Sequence, residues 1–288
     1  MADSTDSFEA HIPITHDDLT AVDALSAETR LSRQVIKQAM NKGAVWLGRA
    51  KHTQRIRRAS KTLKAGDALH LYYNPAVLAM QTDSAQLIAD EGKYSIWYKP
   101  SGMLSQGSKW GDHCTVGRWA EQHSQPQRPA FVVHRLDRAA SGLVLIAHAK
   151  KVAAALSKLF QDRQIEKHYA AIVQGHFPAS PEVKTFNSDI DDRPAITHVH
   201  AVSYNSERDC TLLDVIIETG RKHQIRKHLS RSGFPIIGDR LYNPAEHHDE
   251  DLQLCAVSLS FACPLTGLSR LYELDTNLSP TLQQMSSR

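Results

Sequence analysis

Residues 132–148 read VVHRLDRAASGLVLIAH. The apolar stretch Phe131-Val132-Val133 runs into a short polar loop, and Ser141-Gly142 leads straight into a second apolar stretch, GLVLIAH, with no helix between them. Both stretches have the character of buried strands. The loop places one carboxylate, Asp137, between Arg135 and Arg138. In an extended segment Arg135 and Asp137, two apart, project to the same side. A carboxylate beside a guanidinium is no general acid at neutral pH, but it can be a nucleophile, a weak base or half of a structural salt bridge.

The same strand-after-strand pattern continues outward. Predicted strands are AQLIA (85–89), YSIWY (94–98), HYAAIV (168–173), ITHVHAVSY (196–204), TLLDVIIE (211–218) and LCAVSLSF (254–261). Predicted helices are TVGRWAEQ (115–122), KVAAALSKLFQDR (151–163) and HQIRKHLSRSG (223–233). Strands outnumber helices and several follow one another directly, which predicts an α+β body with a mixed, largely antiparallel sheet. No G-x-G-x-x-G follows a strand and no G-x-x-x-x-G-K-[ST] occurs, so a nucleotide cofactor is not indicated.

Composition sets the outer bounds. The chain of 288 residues is 41% hydrophobic and 23% charged, and no apolar run reaches the roughly 18 to 20 residues that span a bilayer. Residues 1–17, acidic and polar, read as a flexible tail without signal-peptide features, so a cytoplasmic protein with no membrane partner is expected. Cys114, Cys210, Cys255 and Cys263 form no C-x-x-C pair and read as buried free thiols. His198 and His200 fall on a strand, and His223 and His228 are five apart, a poor spacing for one helical face. No metal or other cofactor is expected.

Charge is unevenly spread. Between Leu31 and Ala65 there are ten Lys or Arg residues and no Asp or Glu, so this segment carries +10 and the remainder about −7 of the net +3. Within it, LSRQVIKQAM predicts a helix with Leu31, Val35, Ile36 and Ala39 on one face. Asn41-Lys42-Gly43 ends that helix, AVWLG predicts a strand, a basic loop follows, and LKAGDALHLYY predicts a turn into another strand. This order resembles the S-four-type RNA-binding domain, a small α/β module, over residues 18–75, with Trp46-Leu47-Gly48 where the family commonly has V-N-G. The resemblance implies RNA contacts from Arg33, Lys37, Lys42, Arg55, Arg57 and Arg58. A solvated basic surface without a partner is the alternative. Residues 76–84 read as a linker and 85–288 as the body.

Two further polar clusters interrupt the apolar strands of the body. Lys167-His168-Tyr169-Ala170 puts a tyrosine on a strand, where an ordinary half-buried Tyr accounts for the local pattern equally well. Gly220-Arg221-Lys222-His223-Gln224-Ile225-Arg226 is a Gly turn entering a helix, with Arg226 beside the buried stripe and able to reach inward to a carboxylate.

Taken in order, Lys99-Pro100-Ser101-Gly102, His134 to Gly142, KHYAAIVQG (167–175), Gly220 to Leu229, Gly233 to Tyr242 and Leu254 to Pro264 resemble the motifs of the RluA-type pseudouridine synthases. Ala140 departs from the family Thr, Lys222 and Lys227 replace less charged residues, and Cys255 and Cys263 stand where His is common. The resemblance implies an isomerase that converts uridine in RNA to pseudouridine without a cofactor, by breaking the bond to N1, turning the uracil and joining C5 to the ribose. It implies Asp137 as the catalytic aspartate, Tyr169 stacking on the base and assisting at C5, and Arg226 pairing with Asp137. Arg135 would hold the flipped nucleotide open, Leu254 would line the uracil pocket, and His134, Arg221, His223 and Gln224 would contribute to substrate binding.

The expected partner is RNA, ribosomal rather than transfer RNA, and the expected state a monomer. A catalytically silent RNA chaperone or assembly factor is the alternative from the binding class, and intact Asp137, Tyr169 and Arg226 argue against it. A retaining glycosidase would require a second carboxylate near Asp137, which none of the motifs offers.

Overall fold

The computed structural model describes residues 6–179, 183–243 and 250–282. Chain contacts divide it into two units, one built from the chain up to Thr82 together with Gln106–Trp119, the other from Asp83–Ser105 and the chain from Ala120 onward.

The first unit holds β1 (Phe8–Pro13), α1 (Ala21–Thr29), α2 (Arg33–Asn41), β2 (Val45–Arg49), β3 (His52–Arg55), β4 (Ala68–Tyr73) and α3 (Pro75–Ala79). Its four-stranded sheet is antiparallel in the order β1-β4-β2-β3. Ser32 caps α2 by accepting from the Val35 N–H, and Ile36, Ala39 and Met40 deliver the helix's apolar face to a core that includes Leu25, Leu47, Leu69 and Leu71.

Four sequence expectations change here. Residues 8–13 are not tail: FEAHIP alternates apolar and polar, pairs with β4 from Phe8↔Tyr73 to Pro13↔Ala68, and packs Phe8, Ala10 and Ile12 on the core. Residues 1–5 lie outside the described residues. The basic loop contains strand β3, and the expected linker opens with helix α3, capped by Asn74. Gln106–Trp119, expected in the body, belongs to the first unit, where Asp112 accepts from Arg57 at 2.5 Å and Trp46 donates to the Lys109 carbonyl at 3.1 Å.

The second unit carries β5 (Gln86–Asp90), β6 (Tyr94–Lys99), β7 (Phe131–Val132), β8 (Ser141–Ala147), β9 (Ile165–Gln174), β10 (Lys184–Asn187), β11 (Ile196–Asn205), β12 (Cys210–Ile217), β13 (Leu254–Ala262) and β14 (Ser269–Glu273), with helices α5 (Lys150–Gln161) and α6 (Gln224–Arg231). Helix α4 (Val116–His123) runs across the boundary between the two stretches of chain. The sheet of ten strands follows the order β10-β11-β12-β9-β13-β8-β6-β5, with β14 on β13 and β7 on β8. The mixed, largely antiparallel sheet expected from the sequence is therefore present.

Its one parallel junction among the described residues is β8 with β13, through Cys255↔Ser141 and Ala256↔Gly142. Gly142 has φ +117°, and a Cβ there would overlap the Ala256 backbone, so only glycine lets these strands close. The Asp137 loop enters β8 at this junction, and β13 starts beside it.

Candidate functional site

The Asp137 loop is held through its backbone. Lys99, fully buried at the end of β6, donates its ammonium to the carbonyls of Pro100, Met103, Arg138 and Ala140. Ser101 donates to Ala139 O at 2.9 Å, the Gly102 N–H to Arg138 O at 2.9 Å, and the Ser105 hydroxyl to Leu136 O at 2.8 Å. Burial pushes Lys99 down to about 7, against Asp137, whose charge favours the ammonium. The grip is on carbonyls 136, 138, 139 and 140, so it does not need a hydroxyl on residue 140, and Ala140 is accommodated with its side chain buried.

Asp137, from this loop, borders a cavity of about 790 Å³. Arg226 of α6 donates Nη1 to Asp137 Oδ2 at 3.2 Å. The rest of its guanidinium forks onto Asp239, Nε at 2.8 Å and Nη2 at 2.7 Å. Asp239 also accepts the N–H groups of Leu241 and Tyr242 at 3.0 and 3.1 Å. Burial works to raise the Asp239 carboxyl, but Arg226 and these N–H groups hold it below the usual range. Burial likewise opposes the Arg226 charge, and the two carboxylates more than offset it.

The pairing of Asp137 with Arg226 that the resemblance implies is formed, whereas Arg135, its neighbour in the chain, makes no ion pair with it. Arg135 is exposed and borders the cavity, and the guanidinium on Asp137 comes from α6, 89 residues away in sequence. A second carboxylate, Asp239 of the Gly233–Tyr242 motif, stands behind Arg226. Its side chain has 0% exposure and it stays ionised, so it is no general acid.

Tyr169 lies on β9, buried against the same cavity, next to a β-bulge between Ala256 and Ser258 of the neighbouring β13. Burial first and the Asp137 charge second raise its phenol, so it keeps its proton at neutral pH. Leu254, first residue of β13, pairs with Ala171 and borders the cavity at 5% exposure.

His223 adopts φ +55° at the start of α6, with Nε2 3.7 Å from Asp137 Oδ1 and Nδ1 at 2.9 Å from the Tyr242 hydroxyl. Burial lowers its pKa more than Asp137 raises it. Arg221 lines the cavity and donates Nε to Pro194 O at 3.1 Å.

Two of the expected substrate contacts are committed to the fold. Gln224 accepts from Thr219 and the Arg221 N–H and donates to Ile196 O and Thr197, which uses its amide on protein partners and makes it the brace of the turn into α6. His134 accepts the Leu145 N–H on Nε2 at 3.0 Å and stacks on Phe160 at 4.3 Å, and burial lowers its pKa to about 3, so the ring stays neutral.

The basic module divides in the same way. Lys37 and Arg58 are exposed, and Arg33 is exposed but paired with Asp23. Lys42 donates to Leu78 O, while Arg55 and Arg57 converge on Asp112, and Arg55 also lies over Trp46 at 4.2 Å. The acid that engages these two arginines lies outside the acid-free window, in Gln106–Trp119, and no local pattern announces it.

Asp239, Tyr242 and Lys99 carry the support of the site, and the sequence assigned none of them a role. All three lie within family motifs, Lys99 at the start of Lys99-Pro100-Ser101-Gly102 and Asp239 and Tyr242 at the end of Gly233 to Tyr242, where the signal is a carboxylate and a phenol following an apolar G-F-P-I-I-G segment. All four cysteines are buried and free, and burial pushes Cys255 up to about 11, which keeps it a thiol.

The sequence and the fold of this chain match those of known proteins. A family model described as RNA pseudouridylate synthase matches residues 93–231. The dual-specificity RNA pseudouridine synthase RluA of Vibrio vulnificus is 32% identical over 207 residues, 65% of this chain and 81% of that protein. The tRNA pseudouridine synthase C of Pectobacterium carotovorum subsp. carotovorum is 30% identical over 227 residues, 70% of this chain but only 58% of the relative's length. Human RNA Pseudouridylate Synthase Domain Containing 1 shares the fold, with a TM-score of 0.57 at 18% identity over 72% of this chain and 96% of that one. The chain belongs to the RNA pseudouridine synthase family and is of the RluA type.

Proposed function

We propose that this chain isomerises a uridine in RNA to pseudouridine at the cavity bordered by Asp137, Tyr169 and Leu254. The observation that carries the reading is the relay Asp137–Arg226–Asp239. It presents one carboxylate to the cavity and buries the other, so that the presented carboxylate is oriented by a guanidinium which cannot itself swing away.

A single presented carboxylate suits a reaction in which the base is detached and re-attached without release to water. Asp137 attacks the anomeric carbon or takes a ribose proton, and either role requires the ionised form. The uracil anion is a tolerable leaving group, and the cavity walls from Tyr169 and Leu254 keep it in place while it turns. Tyr169, protonated, supports the ring by stacking on it and is not a phenolate base at rest. The target nucleotide leaves its stack to enter, with exposed Arg135 at the mouth to occupy the space it leaves.

The first unit, with its S-four-type order of elements, supplies hold on the surrounding RNA through Lys37, Arg58 and Arg33. The favoured substrate is large-subunit ribosomal RNA. Mapping pseudouridines in total RNA from a strain lacking the gene tests both claims. A missing ribosomal pseudouridine restored by the wild type but not by Asp137→Asn is the expected result. A missing transfer RNA site would overturn the ribosomal assignment, and an unchanged map would overturn the activity.

A further inference from the structure

The wall of the cavity that Asp137 and Tyr169 border also includes Ser157, Phe160 and Gln161 of α5, Arg163 in the following turn and Lys167 on β9. Lys167 precedes Tyr169 by two, so both side chains leave the strand on the face that borders the cavity. The two cations feel one another: burial first, and the Arg163 charge second, hold Lys167 below the usual lysine range. The carboxylates nearest in sequence are engaged elsewhere, Asp162 with Lys158 at 3.0 Å and Glu166 with His168 at 2.9 Å. Among the described residues, neither Arg163 nor Lys167 has an ion-pair partner or a side-chain hydrogen bond.

A half-buried ammonium beside a guanidinium, with no counter-charge, is unfavourable in the free protein. The backbone adds to this. Arg163 has φ +57°, just after the end of α5, a position where glycine is the usual residue and a side chain is strained. The fold thus tolerates both like charge and backbone strain in order to keep two cations on the cavity wall.

We propose that Arg163 and Lys167 form an anion subsite that takes an RNA backbone phosphate flanking the uridine held at Asp137, a proposal that rests on the uridine chemistry above. Two residues of strand span about 7 Å, on the scale of the distance from a base to its flanking phosphate, so a base on Tyr169 brings a phosphate to Lys167. A guanidinium and an ammonium together neutralise and orient that group. The subsite fixes the register of the flipped nucleotide from its backbone, independently of what the base touches.

The test uses the full chain and a ten-nucleotide oligouridylate, in which every base is a uridine and no mapped target is needed. Binding is followed against salt concentration for wild type, Lys167→Met, Arg163→Gln and Lys167→Arg. Loss of one phosphate contact should reduce the slope of log affinity against log salt by about 0.7 in Lys167→Met, with affinity down roughly tenfold at low salt, while Lys167→Arg stays close to wild type. The thermal midpoint of Lys167→Met should be equal to or above that of wild type, because a charge without a partner has been removed. On the RNA identified by pseudouridine mapping, the loss should fall on KM more than on kcat.

An unchanged slope and affinity in both Lys167→Met and Arg163→Gln would overturn the subsite even where wild type forms pseudouridine. If wild type forms none while the slope still falls, the uridine reading fails and the proposal, as stated, fails with it. Arg163→Gln, at an exposed turn, serves should Lys167→Met not fold.

Discussion

Asp137 borders the cavity because Lys99, Ser101 and Ser105 hold its loop and Arg226, braced by Asp239, holds its carboxylate. Replacing it by Asn keeps the shape and removes the charge. Pseudouridine formation in Asp137→Asn should fall below detection while RNA affinity stays within a few-fold, as measured by tritium release or mass spectrometry beside a binding titration. Asp239→Asn separates support from chemistry. It leaves Arg226 buried with one carboxylate in place of two, which should cost about 3 kcal/mol in a denaturant melt. Activity should drop at least tenfold although Asp137 is untouched. The Asp137 role was legible from its neighbours in the chain only as three alternatives. Arg226 and Asp239, which orient its carboxylate, lie 89 and 102 residues further on, beyond the reach of any pattern local to Asp137.

At the scale of elements, the segment after β6 and the start of β8 act as one device, with Lys99 gripping the loop and Gly142 letting β13 approach. Lys99 has a folded pKa of about 7, below its ordinary value, so above pH 7 the unfolded chain holds the proton more tightly than the native one. Stability therefore rises with pH from 7 toward 10, by on the order of 2 kcal/mol between pH 7 and 9 from this group alone. Lys99→Met should lack that rise, which the difference between the two pH–stability curves reads directly.

Gly142→Ala forces a Cβ into the Ala256 backbone at a φ that favours glycine. Opening the parallel junction should destabilise by at least about 2 kcal/mol and displace Leu254, so that activity is lost before the fold is, in assays run below the melting transition.

The strand and helix positions of the second unit were legible, since alternation and apolar runs are local properties. The short strands β10 and β14 were not: KTFN and SRLYE are too brief and too polar for a periodic signal, and they pair only because β11 and β13 offer an edge.

For the whole molecule, charge divides the labour. The first unit presents Lys37 and Arg58 to solvent, while Arg55 and Arg57 are consumed by Asp112. Reversing the exposed pair, as Lys37→Glu with Arg58→Glu, should weaken RNA binding and flatten its salt dependence by one to two phosphate contacts, leaving the melting temperature near wild type. Reversing Arg57 instead should destabilise the unit, because Asp112 would lose its 2.5 Å partner.

By itself, the amino-acid sequence determined the α+β class, the chain positions of the large sheet's longer strands, the basic character of the first unit and the set of motifs that mark the family, all of them properties of short windows. The tertiary structure alone decided that a buried second carboxylate braces the arginine on Asp137, that the N-terminal residues 8–13 are a strand, and which basic residues of the first unit remain exposed. Those outcomes depend on pairings across tens to a hundred residues, where burial and charge compensation are settled only once the chain has folded.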